Sequence, residues 1–110
     1  MAFTDSQGFK IPRPFVNEGG VRIENITENE TLTMKSSTIQ RLRNNTGGSL
    51  DVTLPGPLDG AIFWVGNAGS DNIVVKNTGG VEVGTIGSGK AGLFCSDSTV
   101  WMKVFVSAAS

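Results

Sequence analysis

The sequence predicts an all-β fold, an antiparallel β-sandwich or jelly-roll-like small barrel of eight or nine short strands with an extended N-terminal arm. Three observations lead there. Short stretches that alternate apolar and polar residues recur at spacings of about ten residues. Turns rich in Asn and Gly separate them, and Gly alone accounts for 15 of the 110 residues. No long window carries the 3.6-residue apolar period of an amphipathic helix.

The arm comes first. Residues 1–20 hold Pro12 and Pro14 in an I-P-R-P-F run. Prolines two apart fix φ and push the residue before each into extended backbone, which suits neither a helix nor a central strand. Phe3, Phe9, Ile11 and Phe15 make the segment too apolar for a solvated tail. Asn17, Gly19 and Gly20 then serve as a hinge, which divides the chain into an arm, 1–20, and a β domain, 21–110.

The strands follow in order. Val21 to Glu24 and Thr31 to Lys35 alternate, and Leu50 to Leu54 is a period-2 strand stopped by Pro55. Ala61 to Val65 is apolar on both parities, so it demands cover on both sides. Ile73 to Val75, Val81 to Val83, Leu93 to Cys95 and Val100 to Val106 complete the set. Ser37 to Arg43 is too short for a helix of its own and reads equally as a strand. The separators are Asn44 to Gly48, Pro55 to Pro57, Asn67 to Asn72, Asn77 to Gly80 and Gly84 to Gly89, whose Asn and Gly supply the positive φ of tight turns. The repeated Asn-Thr-Gly-Gly at 45–48 and 77–80 is read as one turn chemistry used twice.

Composition removes whole classes of function. Nine basic residues against ten acidic ones give a net charge of −1, so no positive field awaits nucleic acid. Histidine is absent, which excludes a Ser-His-Asp triad, a Cys-His dyad and any His-ligated metal. The single Cys95 forms neither an internal disulfide nor a zinc site and is expected in the core. There is no apolar leader of a secretion signal and no apolar run of membrane-spanning length. The Asn25, Asn29 and Asn44 sequons therefore read as turn-rich composition. The expectation is a protein without enzymatic activity, cofactor, metal, nucleic acid, membrane or small-molecule substrate.

Four features test that expectation. Gly84-Thr85-Ile86-Gly87-Ser88-Gly89-Lys90-Ala91 fits G-x-x-x-x-G-K, but Ala91 replaces the magnesium-holding hydroxyl and β-like residues follow where a helix is needed. It is read as a glycine-rich loop joining two antiparallel strands. Asp51, Asp59, Asp71, Glu82 and Asp97 fall at strand ends or on polar strand faces, with Asp71 and Asp97 as turn formers. A glycosidase pair needs two of them in one cleft, for which so small a chain has little wall, and calcium binding in the loop Gly69 to Asn72 stays open on few carboxylates. Trp64 is assigned to the core. Trp101, sharing a parity with Lys103 and Phe105, is assigned to an outer face that meets a partner. Arg41 and Arg43 share the parity of Ile39 on a solvated face, where they suit acidic groups on a partner.

The strand ending in Thr53-Leu54-Pro55, the segment GAIFWVGNAG from Gly60 to Gly69, NIVVKNTGG from Asn72 to Gly80, a Gly-rich turn and STVWMKVFV from Ser98 to Val106 together resemble small virion proteins of tailed bacteriophages. The resemblance covers about residues 45–106. It is strongest to head decoration (cement) proteins, with domains of tail fibres second. A chain that starts at its own Met1 and stops at Ser110 fits the cement proteins better than the ends of long fibre chains. The resemblance implies no catalytic residues. It implies a virion structural protein on the outer capsid surface, a homotrimer clamping the major capsid protein. The alternative is a receptor- or carbohydrate-binding β module of a fibre or spike. The partner-binding residues expected on this reading are Phe3, Phe9, Ile11, Pro12, Arg13, Pro14, Phe15 and Trp101.

Overall fold

The computed structural model describes residues 20–108; the expected arm residues Phe3 to Phe15 lie outside the described residues. Among the described residues the fold is all-β. Its strands are β1 (Val21–Ile26), β2 (Glu30–Thr31), β3 (Ile39–Asn44), β4 (Leu50–Thr53), β5 (Ile62–Asn67), β6 (Ile73–Lys76), β7 (Glu82–Ile86), β8 (Lys90–Ser96) and β9 (Trp101–Ala108). They form two mixed sheets, ordered β1-β3-β5-β8-β9 and β2-β4-β6-β7.

The expected antiparallel arrangement does not hold. Four of the seven strand pairings are parallel: β1 with β3, β3 with β5, β2 with β4 and β4 with β6. The chain leaves the first sheet at the ends of β1, β3 and β5 and crosses to the second, and after β2 and β4 it returns one position further along. Three stacked coils of a little over twenty residues result, as Leu50 beside Ile73 and Ile39 beside Trp64 mark. Only then does the chain reverse: β7 runs back along β6, and β8 and β9 extend the first sheet antiparallel. A period-2 pattern records which face of a strand is buried and not its direction, so coil and hairpin read alike.

Several boundaries shift for the same reason. Of the expected second strand, Thr31 to Lys35, only Thr31 pairs, together with Glu30 before it, and Leu32 then turns into the core. Gly84 to Ile86 belong to β7, and β8 begins at Lys90. The Gly84–Ala91 motif thus spans a strand end, a short turn with Gly89 at φ +73°, and a strand of the opposite sheet. It is not a link within one antiparallel pair, and it has no helix.

One core fills the space between the sheets. Leu42, Phe63, Val65 and Phe94 face it from the first sheet, and Val52, Ile73, Val75 and Ile86 from the second. Burying such side chains stabilises by about 1.5–3 kcal/mol each before entropy is charged against it. At the N-terminal end Arg22 reaches from β1 to Glu30 of β2 at 2.6 Å and to Gln40 at 3.1 Å, tying the sheets together by charge.

Two buried asparagines hold the crossings. Asn44, at the end of β3, donates from Nδ2 to the carbonyls of Gly48 (2.9 Å) and Asn72 (2.7 Å), and its Oδ1 accepts from the Thr46 amide at 3.1 Å. One coil on, Asn67 ends β5 in the same way. Its Nδ2 donates to Asp71 (2.7 Å) and Ile86 (3.0 Å) carbonyls, and its Oδ1 accepts from the Gly69 amide at 3.0 Å. Gly69 is required because any Cβ there would run into the backbone of Asn44 in the preceding coil. The true internal repeat is therefore Asn44/Asn67, and not the Asn-Thr-Gly-Gly pair.

Two consequences can be measured. Asn67→Ala leaves three main-chain groups without their side-chain partner, two carbonyls and an amide, at a cost of about 3 kcal/mol by the usual cost of buried unsatisfied groups. Urea unfolding should show a midpoint lowered accordingly with an unchanged slope. Asp97 accepts from the amides of Val100 (2.8 Å) and Thr99 (2.6 Å), bonds that hold its carboxyl below the ordinary range. A lowered folded value stabilises above the unfolded pKa of about 3.9 and is lost as pH falls through the folded value. Melting temperature should therefore fall on acidification below about pH 4, and less steeply in Asp97→Asn.

Candidate functional site: an apolar outer sheet face

The outward faces of the two sheets differ. On the four-stranded sheet, Asp51, Thr53, Lys76 and Thr85 face away from the core with Val74 among them, and Lys76 Nζ pairs with Asp51 at 2.9 Å. That is the ordinary polar side of a sheet with one wet face.

The five-stranded sheet does otherwise. Its register aligns Val21, Ile39, Trp64, Leu93 and Phe105, one from each strand, in a row on the outer face. A second row, Ile62, Cys95 and Met102, lies beside it. Ile62 is 48% exposed, Met102 45% and Phe105 42%. Ile23 and Arg41 follow on the third row, and Arg43 opposite Asn25 on the next. Arg41 and Arg43 hold no ion pair among the described residues, so two guanidinium groups flank the apolar stripe.

At the end of the sheet where β1, β3 and β5 begin, the face dips into an open groove of about 900 Å³. Met34, Ile39, Leu58, Ile62, Trp64 and Leu93 line it, and Ser36, Thr38 and Asp59 supply its polar members. The Trp64 indole lies along its own strand over Gly66, where a Cβ would come within 2.6 Å of the ring. Gly66 thus makes room for a flat aromatic platform.

Both tryptophan assignments are reversed. Trp101 is not an outer contact: it is 7% exposed, its Nε1 donates to the Pro55 carbonyl at 2.7 Å, and its ring sits 5.8 Å from Phe63. A bulge opposite Leu93/Phe94 switches the parity of β9, so Trp101 faces inward and Phe105 outward. Trp64, expected in the core, is half-buried on the outer face. Cys95 is likewise half-buried on that face, opposite Ile62. The double-sided apolar run Ala61 to Val65 was the signal for this site. One of its faces meets the core, and the other faces outward.

Three of the other carboxylates accept hydrogen bonds from turns or a hydroxyl. Asp71 accepts from the Gly47 amide at 2.7 Å, Glu82 from the Thr85 hydroxyl at 2.6 Å, and Asp97 from its own turn. Among the described residues no group of three His, Cys, Asp or Glu side chains is placed to hold a metal, and no helix is long and apolar enough to cross a membrane. No known protein family, curated protein or solved structure matches the chain.

The two tryptophans should separate in mutation. Trp101→Ala removes a buried ring and a hydrogen bond and should cost about 3–5 kcal/mol. Trp64→Ser should cost about 1 kcal/mol, as for a side chain that packs on one side only. Chemical denaturation of the two variants reads the difference directly; equal losses would mean that Trp64 is structural.

Proposed function

We propose that the chain is a non-enzymatic structural protein of a virion, which binds the outer surface of a tailed-bacteriophage capsid and stabilises it as a decoration or cement protein. One observation carries the reading: an apolar row crosses all five strands of the outer sheet face, beside Arg41 and Arg43, which hold no ion pair among the described residues. Contiguous apolar faces of this kind mark interaction surfaces on soluble proteins. Parallel strands such as β1, β3 and β5 are normally covered on both sides, and here the second cover comes from a partner.

In this reading the two sheets form a sandwich-like body, and the partner is the major capsid protein. The copies assemble as a homotrimer, with Phe3, Phe9, Ile11, Pro12, Arg13, Pro14 and Phe15 of the arm adding contacts at the capsid. Trp64, Ile62 and Leu93 take the role first given to Trp101. Each attached copy bridges neighbouring capsid subunits. Apolar burial at about 25 cal/mol per Å², less the ordering cost, opposes the outward pressure of packaged DNA. The guanidinium pair suits an acidic capsid surface, so attachment weakens with salt.

A second reading has its own support. The Trp64 indole, flat on Gly66 with Ser36, Thr38 and Asp59 near it, has the makings of a stacking site for a sugar ring. That is the receptor- or carbohydrate-binding module of a fibre or spike.

Light scattering of the purified chain and co-sedimentation with empty capsids of the encoding phage decide between them. The cement reading expects three times the chain mass of 11.5 kDa in solution and saturable retention on capsids. Ile62→Asp should reduce retention at least about tenfold, as the loss of about 1.4 kcal/mol or more from a buried apolar contact requires, with the melting temperature little changed. A monomer that passes capsids by, yet binds oligosaccharide in a Trp64-dependent way, establishes the second reading instead.

A further inference from the structure

We infer that in the free chain the groove and the adjoining apolar row are the seat of the chain's own N-terminal segment, residues 3–15, laid over the outer face of the five-stranded sheet in cis. The placement follows from where the segment joins the sheet. Val21, the first residue of β1, is also the first member of the apolar row. The groove opens at that same end of the sheet, around the starts of β3 and β5. Gly20, at φ +70°, turns the chain just before the row begins.

Reach is sufficient. From β1 to β5 is two strand spacings, roughly 10 Å. The residues from Phe15 to Val21, if extended, span up to about 20 Å. The earlier residues Phe3 and Phe9 have length enough to follow the row to Leu93 and Phe105.

Chemistry matches as well. The segment carries Phe3, Phe9, Ile11 and Phe15, and the groove offers Ile39, Ile62, Trp64 and Leu93. Pro12 and Pro14 have no amide hydrogen, so the part of the segment nearest the groove takes fewer unpaired donors onto an apolar surface. Arg13, between Ile11 and Phe15, carries the charge opposite to that of Asp59 in the groove lining. A short tether also gives the segment an effective concentration near the millimolar range, well above that of a second copy at micromolar concentration.

The inference concerns the free chain and stands whether or not the partner is a capsid. Any partner that uses this face has to displace the segment, so the same residues that keep the free protein soluble set the threshold for attachment.

Cys95, half-buried on this face opposite Ile62 and Met102, supplies the test. The full chain carrying Phe15→Cys or Phe9→Cys is oxidised mildly at low micromolar concentration and followed on non-reducing gels. The comparison protein carries the same arm substitution with Cys95→Ser and Thr53→Cys, which moves the target to the outer face of the other sheet. An intramolecular bridge to Cys95 forming at least about tenfold faster than one to position 53 is expected from a seated tether. Equal rates overturn the inference, because they mean the segment has no preferred seat. Bridges only between chains, faster at higher concentration, also overturn it, because a second copy is then the cover. In the chain with its single native cysteine, Phe9→Ser with Phe15→Ser should raise the labelling rate of Cys95 severalfold; an unchanged rate overturns the inference independently of any cross-link.

Discussion

The crossings between the sheets depend on two buried side-chain amides. A chain that winds between two sheets leaves strand-end carbonyls and amides inside at every crossing, where water cannot reach them. Asn44 and Asn67 satisfy those groups within their own turn and in a neighbouring segment, Asn44 through Asn72 and Asn67 through Ile86. Each therefore joins a local turn to the next layer. These bonds fix the crossings from β3 to β4 and from β5 to β6, and Gly69 is forced by the close approach of its turn to the backbone of Asn44. The outward rows of the five-stranded sheet are a product of its strand registers. Slipping one strand by a residue would send Trp64 inward and Phe63 outward.

How much of this the sequence discloses depends on which physical property is asked for. Seven of the nine strands are foreshadowed by apolar patterning and turn residues, because burial of one face and the need for positive φ are local demands; β3 was legible only as a helix or a strand, and β2 shares no more than Thr31 with its expected span. Strand direction is not local. Leu50-Asp51-Val52-Thr53 alternates identically whether its neighbour runs with it or against it, so the coil was invisible. The Asn44/Asn67 repeat was hidden because the residues around it differ: Leu42 corresponds to Val65, and Thr46 to Gly69. The Asn-Thr-Gly-Gly pair was more conspicuous: both copies are turns, with the positive-φ glycine at a different place in each, Gly47 and Gly80.

The outer face shows a different kind of failure. Ala61 to Val65 announced a strand with two apolar sides, and the economical reading put both in the core. A mixed sheet at the surface of a small protein has only one interior side, so the second apolar side is surplus to folding. Trp101 erred in the opposite direction. Parity counted along Val100 to Val106 is sound only for an unbroken ladder, and one extra residue in β9 exchanges inside for outside from Val104 onward. Residues near a bulge are where pattern reasoning fails, and here the bulge decided which tryptophan is available to a partner.

The asymmetry between the two sheets bears on function more directly than any single residue. Both sheets arise from the same coils, with the same turns and the same core, yet one presents Asp51, Thr53, Lys76 and Thr85 outward and the other Ile39, Ile62, Trp64 and Leu93. Folding alone does not ask for that difference, since polar residues at 39, 62 and 64 would leave the inward rows untouched. An apolar outward row also carries a cost, because it invites aggregation unless something covers it. The cost is tolerable where a cover is always at hand and can be exchanged. A tethered segment meets the first condition, since its local concentration does not fall on dilution. A large partner surface would meet the second, since it offers more apolar area than a dozen residues can.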